Sequence, residues 1–433
     1  MHATSSESAS NLRSLLSPRA GDNLGQKPLP PRSALQKKVQ KQVPEKKKKK
    51  NPHRVLVLLT GGTMAMKAND DGALEPAVGY LAAKMRSMGE LRDPKMPSYE
   101  VTEYSPLLDS ADMVPSDWST IALDIVERYE EFDGFVVILG TDTLAFCASA
   151  LSFMLEDLEK PVVLTGSMVP FCEAHTDARR NLVMSLIFAG GLSVVGSSSR
   201  GRTPGEVLVF FHDRLLRGSR ASKVDALGLQ AFDSPNFPAL ATVGVAVNDN
   251  FGEDSPKKAE QPEKKMCSAM TSMETRIVVI RVIPGFDDGA LAACFSSASL
   301  RAVVLETYGT GTAPSRRKHL VDALALARNN GVLVVATTQC RRGGVVMSHY
   351  AVGQALLDVG VLSAGDMTTE AAATKLAFLF GKYPDSDLSH IRRLFATSLR
   401  GELSPPEKYT RPFFEDDSDP VLPENALSSS GSI

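Results

Sequence analysis

The stretch Val55–Met66, VLVLLTGGTMAM, decides how the chain is read. Val55 to Leu59 form an unbroken apolar run, the pattern of a strand covered on both faces of a parallel sheet. The run passes directly into Thr60, Gly61, Gly62 and Thr63. These glycines lack the GxxxxGKS/T spacing of a phosphate loop, and no GxGxxG dinucleotide fingerprint is present. Two readings remain. The turn holds hydroxyls at the carboxyl end of a strand, where open α/β sheets place their ligands, or it is an ordinary strand-to-loop turn. A partner group elsewhere in the chain has to decide between them.

Working outward, strand candidates recur at Arg54–Leu59, Gly134–Leu139, Pro161–Leu164, Glu206–Phe211, Arg276–Val282, Arg301–Glu306 and Gly331–Ala336, with helix-length segments between them. This alternation predicts parallel βαβ units and an α/β class. A polar segment with two prolines, FGEDSPKKAEQPEKKMCSAMTSME, divides the strands into two groups. The expected organisation is a larger domain at 53–249, a connection at 250–274, a smaller domain at 275–405 and a loose acidic and serine-rich end at 406–433. A chain of 433 residues is long enough for two cores.

Composition narrows the class. Hydrophobic residues make up 43% and charged residues 23%, as in soluble globular proteins. No run approaches the ~18 to 20 apolar residues of a bilayer crossing. The net charge of -2 hides an asymmetry: residues 1–54 hold 13 Lys and Arg against 3 acids, which leaves 35 against 47 in the rest. The leader 1–52 is expected to be disordered. Its run Lys46–Lys50 reads as a solvated leader or as a nuclear or nucleic-acid patch; of these the solvated leader is preferred, so nucleic acid is not an expected partner. No apolar core of a secretory peptide lies near Met1. The five cysteines, at 147, 172, 267, 294 and 340, form no CxxC pair, which points to reduced thiols in the cytoplasm rather than a zinc site or a disulfide framework.

A second strand also ends on small hydroxyl residues, in GFVVILGTDTLAF with Thr141, Asp142 and Thr143. A third segment, FHDRLLRGSRASKVDALG, brings Lys223. A lysine near a carboxylate and a hydroxyl can accept a proton when burial lowers its pKa from ~10.4. Each motif alone also reads as a turn, a helix cap or a surface lysine. Together they suggest acyl transfer by a threonine nucleophile, a Thr–Lys–Asp relay and glycine N–H groups for the oxyanion. HExxH and GxSxG are absent, and the seven histidines are dispersed, so neither a metal nor a Ser-His-Asp system is expected.

The segments TGGTMAM, SPLLDSADM, GFVVILGTDTLAFCASALSFMLEDLEKPVVLTGS, RLLRGSRASKVDA, AFDSPN and LRGELSP occur in the order found in L-asparaginases of the cytosolic, bacterial type I class, and the chain resembles that family from about Arg54 to Pro405. The resemblance implies a larger Rossmann-like domain and a smaller flavodoxin-like one. It also implies hydrolysis of L-asparagine without metal or cofactor, and a homodimer or homotetramer with active sites between subunits. By resemblance Thr63 is the nucleophile, Thr141 the second catalytic threonine, Lys223 its base, and Asp142 the acidic neighbour that also holds the substrate ammonium. Asp109 and Ser110 match the pair that grips the amino-acid head of asparagine.

The chain departs from the family pattern at three places. Where bacterial relatives carry a tyrosine about ten residues after the nucleophile, this chain has Ala73 or Leu74. Vertebrate relatives share the loss, and there a second-domain tyrosine from a neighbouring subunit is thought to substitute; Tyr350 is the match, with a half-buried core aromatic as its other reading. The family's GxGN reads GTGT, so Thr312 replaces asparagine. Glu306 stands where an allosteric bacterial form has arginine, so control by a second asparagine does not carry over. The rival readings are a glutamyl-tRNA amidotransferase amidase subunit, whose extra N-terminal β-rich domain residues 1–53 are not expected to make, and a catalytically impaired asparagine-binding protein.

Overall fold

The computed structural model describes residues 53–192, 203–251 and 266–409, apart from 286, 296, 298, 315 and 317. The basic leader, most of the 250–274 connection and the end of the chain from residue 410 lie outside the described residues.

Arg54–Gly61 is a strand in which Val55 to Leu59 are at most 1% exposed. Because strand side chains alternate between faces, Leu56 and Leu58 join one core with Trp118, Ile121 and Ile125, while Val55, Val57 and Leu59 join another with Leu81, Met85 and Leu182. Helices Pro115–Glu127 and Leu144–Met154 cover the first face, and Tyr80–Ser87 and Ala178–Ala189 the second. Double coverage is what the uninterrupted apolar run requires, since an uncovered face would leave several leucines and valines in water at about 1.5–3 kcal/mol each.

Five strands run parallel in the spatial order Ser98–Leu108, Arg54–Gly61, Gly134–Ile138, Val162–Thr165 and Val207–Phe211. Counted along the chain this order is 2-1-3-4-5, so the winding reverses between the strands that begin at Arg54 and Gly134. Three antiparallel strands, Arg214–Arg217, Ala241–Val243 and Val247–Asp249, extend the sheet beyond Phe211. A second sheet holds Ile277–Arg281, Ala302–Thr307, Leu333–Thr338 and Leu362–Ser363, parallel and in chain order. Helix Lys318–Asn329 packs on one of its faces and helix Thr369–Lys382 on the other.

All seven expected strands are present with ends displaced by at most two residues. The edge strand Ser98–Leu108 escaped the sequence reading because Glu100, Glu103 and Pro106 break its apolar pattern. An edge strand tolerates both charge and proline, since one of its sides faces solvent. The antiparallel extension was also unforeseen; its hairpin turns at His212 with φ 57°. The connection between the sheets is anchored at its far end. Ser268–Ala269 pairs with Leu155–Glu156, Met270 N donates to Met154 O, and Glu274 N donates to Ala377 O.

Ion pairs join the two halves. Arg220 lies 2.9 Å from Asp366, and Lys382 pairs with Glu156. Within the second half, Lys375 and Glu402 pair with both side chains 0% exposed. Lys375 Nζ also donates to the carbonyls of Phe395 at 2.8 Å and Thr397 at 2.6 Å, and Glu402 accepts from the backbone N–H groups of Leu399 and Arg400. The LRGELSP segment is thereby clamped beneath helix Thr369–Lys382. Burial works to raise the Glu402 carboxyl, and the Lys375 ammonium with the two N–H donors outweighs it, so its pKa is lowered. A depressed carboxylate stabilises the fold above the ordinary glutamate value of about 4.3, and that contribution is lost as pH falls through the native value. Lys375→Met strands the buried Glu402 charge and should cost about 3–5 kcal/mol in denaturant unfolding at neutral pH, with a smaller penalty at acid pH. Unchanged stability would show that the pair is not a buried clamp.

Candidate active site

Close backbone contacts explain the glycines of the opening stretch. A Cβ on Gly61 would lie 2.1 Å from Leu108 O, and one on Gly62 would lie 2.3 Å from Gly140 N. A Cβ on Gly140 would in turn meet Ser110 Oγ at 2.3 Å. Gly62 also sits at φ 87°, which L side chains rarely adopt. Three turns, following the strands that end at Gly61, Leu108 and Ile138, therefore touch through their main chains at the point where the sheet winding reverses. Open α/β sheets form their ligand crevice there.

Thr63 starts a 3-10 turn, Thr63–Ala65, immediately after this contact. Thr141, which follows Gly140, is 8% exposed and its Oγ1 accepts a hydrogen bond from Lys223 Nζ at 2.9 Å. The same nitrogen donates to Asp142 Oδ1 at 2.8 Å. Lys223 is 20% exposed and Asp142 67%, so the lysine is enclosed and the carboxylate faces solvent. Thr141, Asp142 and Lys223, separated by about eighty positions in the chain, are thus brought together.

Asp109 and Ser110 arrive at the same end of the sheet. The register between Arg54–Gly61 and Ser98–Leu108 shifts after Leu59, so that Gly61 faces Leu108 rather than a residue near Ser105. Asp109 then caps the turn Ser110–Asp112, accepting from Ala111 N at 3.0 Å. Ser110 is buried, and its carbonyl accepts from Thr143 Oγ1 at 2.8 Å, which ties the Asp109 turn to the Thr141 turn. Thr60 is a strand-end support, donating to Ile138 O at 3.0 Å.

Two groups that brace this region were not singled out from sequence. Asp177 accepts from Met168 N and Val169 N, while Asn181 bonds Gly166 O and accepts from His212 N. Asp177 at the N-cap of helix Ala178–Ala189 was a legible signal. Glu370 reaches Ser222, beside Lys223, from the second sheet's side, accepting from its hydroxyl at 2.7 Å. Nothing in the local sequence announces this contact.

The departures from the family pattern also have visible structures. Leu74 is exposed in a hairpin with Met66–Ala68, so no side chain there takes the place of a tyrosine. Tyr350 is 47% exposed at the N-cap of helix Ala351–Asp358 and belongs to none of the hydrophobic cores, contrary to its reading as a core aromatic. Thr312 closes a tight turn with Tyr308, spending its hydroxyl on the Tyr308 carbonyl at 3.3 Å. Glu306 accepts from Thr369 Oγ1 at 2.8 Å and lies 3.5 Å from Arg281.

Hydroxyl residues on both sides of the switch point of a parallel sheet, one of them wired to a lysine and a carboxylate, are groups that hydroxyl-based acyl transfer can use. The chain belongs to the asparaginase family: the asparaginase N-terminal profile matches residues 54–252, and the glutaminase/asparaginase C-terminal domain profile matches residues 276–395. It is 38% identical over 351 residues to L-asparaginase 1 of Escherichia coli, covering 81% of this chain and 98% of that one. It is 39% identical over 374 residues to the 60 kDa lysophospholipase of Mus musculus, covering 82% of this chain and 63% of that one. The crystal structure of L-asparaginase I from Vibrio cholerae superposes with TM-score 0.69 at 36% identity, covering 82% of this chain and 99% of that one.

Gly62→Ala should prove intolerable, because the added methyl strains the backbone and collides with the main chain of Gly140. Each effect costs about 1–3 kcal/mol, and displacement of the neighbouring turns should lower turnover by about 10²-fold. Thermal unfolding and a turnover assay check this. A variant with normal stability and turnover would mean that the two turns do not pack at this distance.

Proposed function

We propose that the protein hydrolyses the side-chain amide of L-asparagine to L-aspartate and ammonia through an acyl-enzyme on Thr63. The observation that carries this reading is the Lys223 side-chain nitrogen bridging Thr141 Oγ1 and Asp142 Oδ1, in the turn whose Gly140 packs on Gly62, the residue before Thr63. Thr63 Oγ attacks the amide carbon, and the oxyanion is met by main-chain N–H groups of the glycine turn. Lys223, as the neutral amine, takes the Thr63 proton by way of Thr141 and gives it to the amide nitrogen, which leaves as ammonia. Water then cleaves the aspartyl ester and returns the proton to Thr63. The exposed carboxylate of Asp142 pairs with the substrate ammonium, and Asp109 and Ser110 hold the amino-acid head, as recognition of a zwitterion requires.

The same reading includes a homodimer or homotetramer in which Tyr350 of one subunit approaches Thr63 of another. Its support is the exposure of Tyr350 and of Val278 and Val279 on the outer strand of the second sheet. A cytoplasmic setting is supported by five free cysteines. Among the described residues no helix is long and apolar enough to cross a membrane.

Ammonia release from L-asparagine by purified protein tests the proposal, and Thr63→Ala should abolish it without loss of the fold. A protein that binds asparagine but releases no ammonia would be a sensor instead. Because groups that act as a unit lose activity non-additively, Lys223→Met and Thr141→Val should each lower kcat by about 10² to 10⁴, with the double variant little worse. Losses that multiply would refute a shared relay. A threonine hydroxyl is a weak nucleophile without an activating partner, so Tyr350→Phe should lower kcat at least about tenfold, roughly 1.4 kcal/mol, with little change in Tm. Normal turnover in that variant would remove Tyr350 from the site.

A further inference from the structure

Lys223 is held at its tip by Thr141 and Asp142, yet its backbone lies in a strand of only two residues, Ser222–Lys223, paired with Phe232–Asp233. A ladder this short is a weak constraint on a side chain whose position must be held closely. The second restraint comes from the other half of the molecule, where Ser222 Oγ donates to Glu370 Oε1 at 2.7 Å. Glu370 lies in the first turn of helix Thr369–Lys382. That turn is itself fixed: Thr368 Oγ1 accepts from Ala371 N at 3.1 Å, Thr369 Oγ1 donates to Glu306 at 2.8 Å, and Thr374 Oγ1 donates to Glu370 O at 2.8 Å.

The same helix meets the other arm of the relay. Helix Leu144–Met154 begins two residues after Asp142. It packs against Thr369–Lys382 through a Ser149 to Thr374 hydroxyl contact of 2.7 Å and through Phe153 on Phe378, with ring centroids 5.7 Å apart. The helix that follows Asp142 and the residue before Lys223 therefore both contact one helix of the second half.

We propose that Glu370 is a positioning residue for Lys223: by holding Ser222 it sets where Lys223 Nζ meets Thr141 and Asp142. The inference rests on the reading of Lys223 as the base of the relay. Burial raises the Glu370 carboxyl above the usual range, and Glu306 adds to the rise while the Ser222 hydroxyl pulls the other way. Glutamine keeps the oxygen that Ser222 needs and removes a charge that burial disfavours, whereas alanine removes the acceptor.

The test measures kcat and KM for asparagine on the full chain. Glu370→Ala and Ser222→Ala should each lower kcat about tenfold or more with KM changed little, and Glu370→Gln should restore most of the loss. In a Lys223→Met background, Glu370→Ala should cause no further loss, because a residue that acts through Lys223 has nothing left to position. A merely structural role would lower the active fraction in every background, so a loss that multiplies with Lys223→Met overturns the proposal. Wild-type kcat in Ser222→Ala overturns it as well, and that variant decides the matter if Glu370→Ala fails to fold. Full turnover in Lys223→Met would instead refute the base reading itself, an outcome distinct from either of these.

Discussion

The contact between the main chains of Gly62 and Gly140 is the constraint on which the rest of the site depends. Two parallel strands lie about 4.8 Å apart within a sheet, but the turns that leave them diverge unless something lets them close. Glycine at both positions removes the Cβ atoms that would hold the turns apart, and Ser110 fills the space beside Gly140 from a third turn. Hydroxyl groups that follow these turns are thereby confined to one crevice. The reversal of winding between these strands gives the crevice its location, since the following segments leave on opposite sides.

Stability and chemistry use polar groups differently in this molecule. The buried charges of Lys375, Glu402, Arg220 and Asp366 are paired with each other and supplemented by backbone groups. Unpaired, each would cost several kcal/mol, so these networks bind the LRGELSP segment and the two halves into one arrangement. Around Thr141 the pattern is asymmetric. Lys223 is enclosed, while Asp142 keeps most of its surface toward solvent. A carboxylate kept accessible at the mouth of a crevice is suited to meet a cationic group from outside.

The second half of the molecule contributes more than bulk. Helix Thr369–Lys382 touches the segment behind Asp142 and the segment carrying Lys223, and its own first turn is fixed by threonine hydroxyls and by Glu306. The Glu306 carboxylate takes the Thr369 hydroxyl, so the helix start is held from within.

Sequence alone determined the strands and the two-part α/β organisation, because a run such as Val55–Leu59 is stable only when both its faces are covered. It also brought forward the residues of the candidate site, since the order of the TGGT, GTDT and SRASK segments survives in one dimension. The sequence did not reveal the edge strand Ser98–Leu108, whose glutamates and proline are tolerated only because of where it lies in the sheet. Neither did it reveal the Ser222 to Glu370 contact, which joins residues 148 positions apart through a single hydrogen bond. Tertiary structure alone decided that Tyr350 stands outside the cores and that Gly62 packs on Gly140. Both depend on how the halves and turns meet in space, and local chain chemistry carries no record of that.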